Sequence, residues 1–126
     1  MPRAIDCLLV GLGGFLGANA RYLVGLWLTA ALGATFPWGT MVVNLTGSFA
    51  AGVLLGVGDG RGLATGARLL LVTGFLGGYT TFSAFTVETM RLAEQSGLAA
   101  ATTNVLASVG VGLVAATIGL AVGRGL

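Results

Sequence analysis

Thr40, Asn44 and Ser48 recur every four residues in WGTMVVNLTGSF, so in a helix they form one polar stripe along an apolar rod. Such a stripe either bonds a neighbouring helix or lines a water-filled path. Asn44 favours the path, because a carboxamide brings two donors and two lone pairs that a dry interface satisfies poorly. Asn104 and Ser108 repeat the spacing later in the chain, with Thr117 beyond them. A third cluster, GFLGGYTTFSAF at residues 74–85, places Gly77, Gly78, Thr80, Thr81 and Ser83 inside a hydrophobic run. Glycine is a poor helix former, and the hydroxyls offer the backbone competing hydrogen bonds, so the helix is expected to break there. A break at membrane depth frees carbonyl oxygens, which suit a buried cation held by main chain.

Phe82 and Phe85 follow that break three residues apart, on roughly one face if the helix resumes. Packing is the ordinary fate of phenylalanine. A ring turned edge-on also presents a positive rim, a weak and dehydrated partner for an anion. Arg21 is too deep in its apolar segment to be a terminal anchor, so it either snorkels to a vestibule or bonds main-chain oxygens. Glu88 comes one turn after the phenylalanines and is expected near a water-filled mouth, where it is equally well read as an ordinary helix-end carboxylate.

The elements that must position these groups follow from composition. Of 126 residues, 56% are hydrophobic and only 8% charged, which excludes an ordinary soluble domain and indicates an integral membrane protein. At about 20 residues per spanning helix, the chain has room for four spans and no separate soluble domain. Hydropathy and helix breakers place them at 5–30, 38–57, 66–90 and 98–123. The first run continues past the length of a signal peptide without a small-residue cleavage site, so it is read as a retained span. Gly33 and Pro37 separate the first two segments, GVGDGRG reads as a glycine-rich turn, and MRLAEQSG reads as a polar connection outside the membrane.

Glycines at four-residue spacing, Gly13 and Gly17, Gly52 and Gly56, Gly74 and Gly78, Gly119 and Gly123, predict helix faces packed backbone against backbone. GLGGFLG has the wrong spacing for a dinucleotide fingerprint and follows no strand. Four spans put both termini on one side with Arg3, Arg61, Arg68 and Arg124, opposite Arg91, which favours cytoplasmic termini. The bias is small and diluted by Asp6 and Asp59, which permits both orientations. A net charge of +2 makes no nucleic-acid footprint. Histidine is absent and Cys7 is the single cysteine, so zinc sites, haem ligation and disulfide frameworks lack their ligands. No nucleophile–base constellation is visible and there is no GxxxxGK[ST] phosphate loop, so neither an enzyme nor an ATP-driven pump is expected.

GGFLGANARY in the first segment, WGTMVVNLTGSF in the second and TGFLGGYTTFSAFTVET in the third resemble the small fluoride channels of microbial membranes, often called Fluc or CrcB. The four-span plan extends the resemblance over the whole chain, 1–126. It implies an all-α membrane protein of four transmembrane helices per subunit, the third broken in mid-membrane, assembled as an antiparallel homodimer inserted in both orientations. Two fluoride pores along the subunit interface would let the ion leave the cell passively across the inner membrane, protecting against fluoride toxicity. One central structural sodium ion would be held by backbone carbonyls, which map here to Gly77 and Thr80. By the same mapping the rings of Phe82 and Phe85 meet fluoride, Asn44 is the pore-lining amide, Ser83 is a hydroxyl donor and Thr40 lines the path. Arg21 and Glu88 match vestibule positions. Family members can carry a longer ladder of hydroxyls on the fourth helix, where this chain has Asn104, Ser108 and then Gly112, a departure at the ladder positions.

The alternative from the residues is a small four-helix drug or cation exporter coupled to protons through a membrane-embedded carboxylate. Glu88 is the one plausible carboxylate, and it lies late in its helix.

Overall fold

The computed structural model describes residue 1 and residues 3–126. It consists of four long helices: α1 (Ala4–Leu32), α2 (Trp38–Arg61), α3 (Thr65–Ser96) and α4 (Leu98–Gly125). Each is long and apolar enough to cross a membrane. The spans therefore run further than hydropathy alone indicates. Residues 56–61 of GVGDGRG are the helical end of α2, with only Gly62 in the turn, and MRLAEQS continues α3 as helix to Ser96. Intrinsic glycine cost is outweighed in α2 because Gly56 lies directly on the α4 backbone. The three connections turn on Gly33, Gly62 and Gly97, the described residues with positive φ (84°, 76° and 92°), a region that any side chain would strain.

Few side chains are fully buried. Leu28, Met41, Val43, Leu76, Leu92 and Ala101 make up the apolar core, while large residues such as Leu8, Phe15, Trp27 and Leu113 point outward. In lipid, exposed apolar side chains lose nothing, and helices associate through close van der Waals contact and interhelical hydrogen bonds. The glycines provide that contact in two seams. Gly13 and Gly17 of α1 interlock with Gly74 and Gly78 of α3: a Cβ built on Gly74 would lie 2.7 Å from the Val10 carbonyl oxygen, and one on Gly78 would lie 2.6 Å from that of Gly14. Gly52 and Gly56 of α2 interlock with Gly119 and Gly123 of α4, where a Cβ on Gly123 would lie 3.0 Å from the Gly56 Cα.

The ends are pinned by exposed polar pairs. At the start of α1 the Arg3 backbone N–H donates to Asp6 Oδ2 (2.9 Å), and its guanidinium pairs with Asp6 Oδ1 at 3.1 Å. Arg124 at the end of α4 pairs with Asp59 near the end of α2 at 2.9 Å, which places those two helix ends together. Exposed pairs of this kind contribute about 0–1 kcal/mol. Asp59→Asn is accordingly expected to leave the thermal midpoint nearly unchanged in low salt; a drop of many degrees would mean the pair holds the α2–α4 seam.

α3 is the irregular span. Its first half, residues 65–79, widens into a π-helix over Arg68–Leu76, a geometry frequent at functional sites. Thr80 (φ −81°, ψ 155°) and Thr81 (φ −150°, ψ 119°) are then extended, and helix resumes over Phe82–Ser96. The break thus falls two residues after the glycine pair. Gly77 and Gly78 are themselves helical, and Gly78 is used for packing on α1. Competing polar partners, and not glycine flexibility, interrupt the helix.

Candidate functional site

Those partners come from α1, α2 and the threonines themselves. The Asn44 carboxamide forms a two-point bond with Thr81: its Nδ2 donates to the Thr81 carbonyl (3.0 Å) and its Oδ1 accepts the Thr81 N–H (2.8 Å). A side-chain amide here stands in for a strand of backbone and holds Thr81 extended. Thr81 Oγ1 in turn accepts the Ala84 N–H at 3.3 Å and caps the second half of α3. In an unbroken helix the Thr81 N–H would go to the Gly77 carbonyl and the Ala84 N–H to the Thr80 carbonyl. Both donors are diverted, so these two carbonyls lose their helical partners. Between them in sequence, the Gly78 carbonyl accepts from Arg21 Nε at 3.1 Å. Thr80 fastens the end of the first half, with its N–H and its hydroxyl both donating to the Leu76 carbonyl at 3.0 and 2.9 Å.

A cavity of about 460 Å3 opens beside the break, lined by Asn44, Ser48, Gly77, Thr80, Thr81 and Phe82 together with small and aliphatic residues. A second, of about 350 Å3, lies where the α1–α2 connection meets α3 and is lined by Thr40, Glu88, Arg91 and Gln95 among others. The Thr40–Asn44–Ser48 stripe therefore spans both, Thr40 in one and Asn44 with Ser48 in the other. Asn44 has a second Nδ2 hydrogen that Thr81 does not use. The Ser48 hydroxyl is taken by the Asn44 carbonyl at 2.7 Å.

Phe82 is 77% exposed and its ring centroid lies 6.0 Å from that of the half-buried Phe85, the planes inclined at 47°. Ser83 is exposed, with Oγ 3.4 Å from Thr81 Oγ1. Glu88 has a buried Oε2 without a hydrogen-bond partner among the described residues. Arg21 is half-buried on the Gly78 carbonyl and lines neither cavity. Asn104 is 1% exposed: Nδ2 donates to Thr89 Oγ1 (2.8 Å), and Oδ1 accepts from Ser108 Oγ (3.3 Å). Residue types marked Thr81 as a competing hydroxyl at the break but did not single out Thr89. The signal available was positional, since 81, 85 and 89 share one helix face.

Among the described residues no three His, Cys, Asp or Glu side chains converge to hold a metal. A cation at the break would use the released carbonyls of Gly77 and Thr80, hard oxygen donors that suit an alkali ion, and Gly77 is exposed.

The two-point bond gives Asn44 a measurable structural role. Asn44→Leu leaves the Thr81 N–H and carbonyl unpaired at a cost of about 1–3 kcal/mol. The expected results are a lower unfolding midpoint and faster amide exchange at Thr81; unchanged exchange would show that Asn44 does not hold the break.

Comparison with known proteins agrees with this architecture. The family profile for CrcB-like protein, Camphor Resistance (CrcB), matches residues 8–120. The fluoride-specific ion channel FluC of Rhizobium meliloti (strain 1021) is 46% identical over 120 residues, covering 94% of this chain and 96% of the relative. FluC proteins of Acidobacterium capsulatum (44% identity, 91% and 93% coverage) and Roseiflexus sp. (strain RS-1) (42%, 95% and 98%) match over similar lengths. With four apolar spans, a family profile matched over residues 8–120 and relatives 42–46% identical over nearly the whole chain, the chain belongs to the CrcB family, whose members are ion channels and not enzymes.

Proposed function

We propose that this protein is a fluoride-selective channel that lets fluoride leave the cell passively across the inner membrane and so protects against its toxicity. The reading is supported by the fluoride-specific ion channels that match this chain over nearly its whole length. The observation that carries it is the Asn44–Thr81 lock beside the exposed Phe82, which sets a leftover amide N–H and a ring at the same cavity. Fluoride is small and strongly hydrated, so a pore must replace its water with compact donors in a narrow space that larger halides use poorly. The spare Asn44 N–H, the Ser83 hydroxyl and the edges of Phe82 and Phe85 are such donors. None carries a full charge, so the ion is not trapped as it would be on a free guanidinium. Thr40 continues the path toward the Glu88 mouth, and Ser108, which donates to Asn104 Oδ1, is the α4 hydroxyl that would serve the ion once released.

The functional unit in this proposal is an antiparallel homodimer with two pores. Gly77 and Ser83 are exposed at the break, and irregular backbone at membrane depth is tolerated only when protein or a water-filled cavity covers it. A second copy would supply that cover. Insertion in both orientations fits the small number of arginines outside the spans, Arg3, Arg61, Arg68 and Arg124 on one side and Arg91 on the other. A structural sodium ion would be held by the Gly77 and Thr80 carbonyls of both copies and would supply positive charge that fastens the two breaks together.

Efflux from liposomes loaded with fluoride or chloride, recorded with ion electrodes at several pH values, tests the function. Rapid, pH-independent loss of fluoride without chloride is expected. Obligatory exchange for protons would instead indicate the exporter, for which Glu88 beside Arg91 and Gln95 is the available acid. For the sodium site, prolonged dialysis against choline salts is expected to lower fluoride efflux, and restored sodium to recover it; efflux indifferent to both would remove the ion from the proposal.

A further inference from the structure

The second half of α3 carries both phenylalanines, yet it is lightly attached to the rest of the protomer. Its near end is held by the Asn44–Thr81 bond. Its far end turns at Gly97 into α4. Among the described residues, one side-chain hydrogen bond joins this half-helix to another helix, Asn104 Nδ2 to Thr89 Oγ1 at 2.8 Å. Thr89 passes the interaction on, its hydroxyl donating to the Phe85 carbonyl at 2.7 Å. Phe85 is thus four residues from each of two anchored threonines, Thr81 and Thr89, on the same helix face.

The hydrogens run one way through this relay. Thr89 gives its single proton to Phe85, so it can only accept from Asn104, which fixes the amide with nitrogen toward Thr89. Asn104 Oδ1 then faces Ser108 and accepts its proton at 3.3 Å, a long and weak bond. Asn104 is 1% exposed, with Nδ2 and Oδ1 each engaged once and the remaining Nδ2 hydrogen enclosed in the protomer, which suits a brace better than an ion ligand. We propose that Asn104 and Thr89 are positioning residues: together they clamp the far end of the Phe85 segment to α4, as Asn44 clamps the near end, and so set the orientation of the Phe85 ring. A second consequence is that Ser108 can offer its proton to a passing anion only by releasing Asn104.

The inference rests on the fluoride-channel function proposed above, so its test reads ring geometry as well as flux. Thr89→Val removes the hydroxyl at nearly constant volume, and Thr89→Ser restores it. Each is made twice in the full-length protein, once carrying 4-fluorophenylalanine at position 85 for 19F NMR in lipid nanodiscs and once unlabelled for the fluoride efflux assay. Thr89→Val is expected to slow efflux about tenfold, the scale of one lost buried hydrogen bond, and to shift or split the Phe85 resonance. Thr89→Ser is expected to recover both. Asn104→Leu should reproduce Thr89→Val, and the double variant should be no slower than either single one, since the residues act as one unit. If Asn104→Leu does not assemble, the Val and Ser variants decide alone. The proposal is overturned by an unmoved Phe85 resonance in Thr89→Val, whatever the flux, or by equal loss in Val and Ser variants. A wild-type protein that releases no fluoride would refute the channel function, while the resonance would still decide the clamp.

Discussion

Phe85→Ile is expected to reduce fluoride efflux by about fivefold to tenfold while the protein still folds and assembles. Phe85 is half-buried, and its ring centroid lies 6.0 Å from that of Phe82. Isoleucine fills much of the space but has no polarised rim. A dehydrated anion would lose ring-edge contacts of roughly 1 kcal/mol each, and each 1.4 kcal/mol is about tenfold in rate. Phe82→Ile should act in the same direction, and because Phe82 is 77% exposed its replacement should cost the fold less. The decisive comparison is efflux per assembled protein, with size-exclusion profiles run in parallel. Full efflux in both variants would remove the ring edges from the pathway, leaving the amide and hydroxyls to carry the ion.

The second large effect is on folding. Gly119→Val should abolish recovery of folded protein, whereas Gly110→Val should be tolerated. A Cβ at Gly119 would meet the Phe49 carbonyl oxygen and lie 3.1 Å from both the Phe49 carbon and the Val53 nitrogen. These are backbone atoms of a packed helix and cannot rotate aside. Ordinary overpacking costs about 1–3 kcal/mol, and separating two interlocked helix backbones exceeds that range. Gly110, on the same helix, has nothing within 4 Å of its would-be Cβ. Expression followed by gel filtration and a thermal melt distinguishes the two. Normal melting of Gly119→Val would mean that the α2–α4 seam is looser than its backbone contacts indicate.

The contrast between those glycines bears on how much of this protein its sequence discloses. Four apolar runs, the helix breakers Gly33 and Pro37 and the small-residue spacing mark the spans and their packing faces, because lipid leaves a chain few options: each backbone polar group must be bonded within a helix or covered. The polar stripe of α2 and the interruption of α3 were legible for the same reason, since hydroxyls and amides are rare at membrane depth and therefore conspicuous. Helix ends were less legible. Outside the hydrocarbon, hydropathy loses its force, and α3 carries its polar residues on as helix to Ser96.

Pairing belongs to the tertiary structure alone. Glycine spacing marks four sticky faces but not which face meets which; that Gly13 and Gly17 meet Gly74 and Gly78, while Gly52 and Gly56 meet Gly119 and Gly123, depends on how the helices lie in space. The cause of the break is likewise a long-range matter. Thr80 and Thr81 are extended because an amide 37 residues away, on another helix, satisfies the Thr81 backbone at both atoms. Asn104, which reads from its spacing as one more rung of a polar ladder, is buried with both amide atoms engaged. Periodicity reports which way a side chain faces along its own helix, whereas a hydrogen bond needs a partner at about 3 Å, and only the folded chain brings one there.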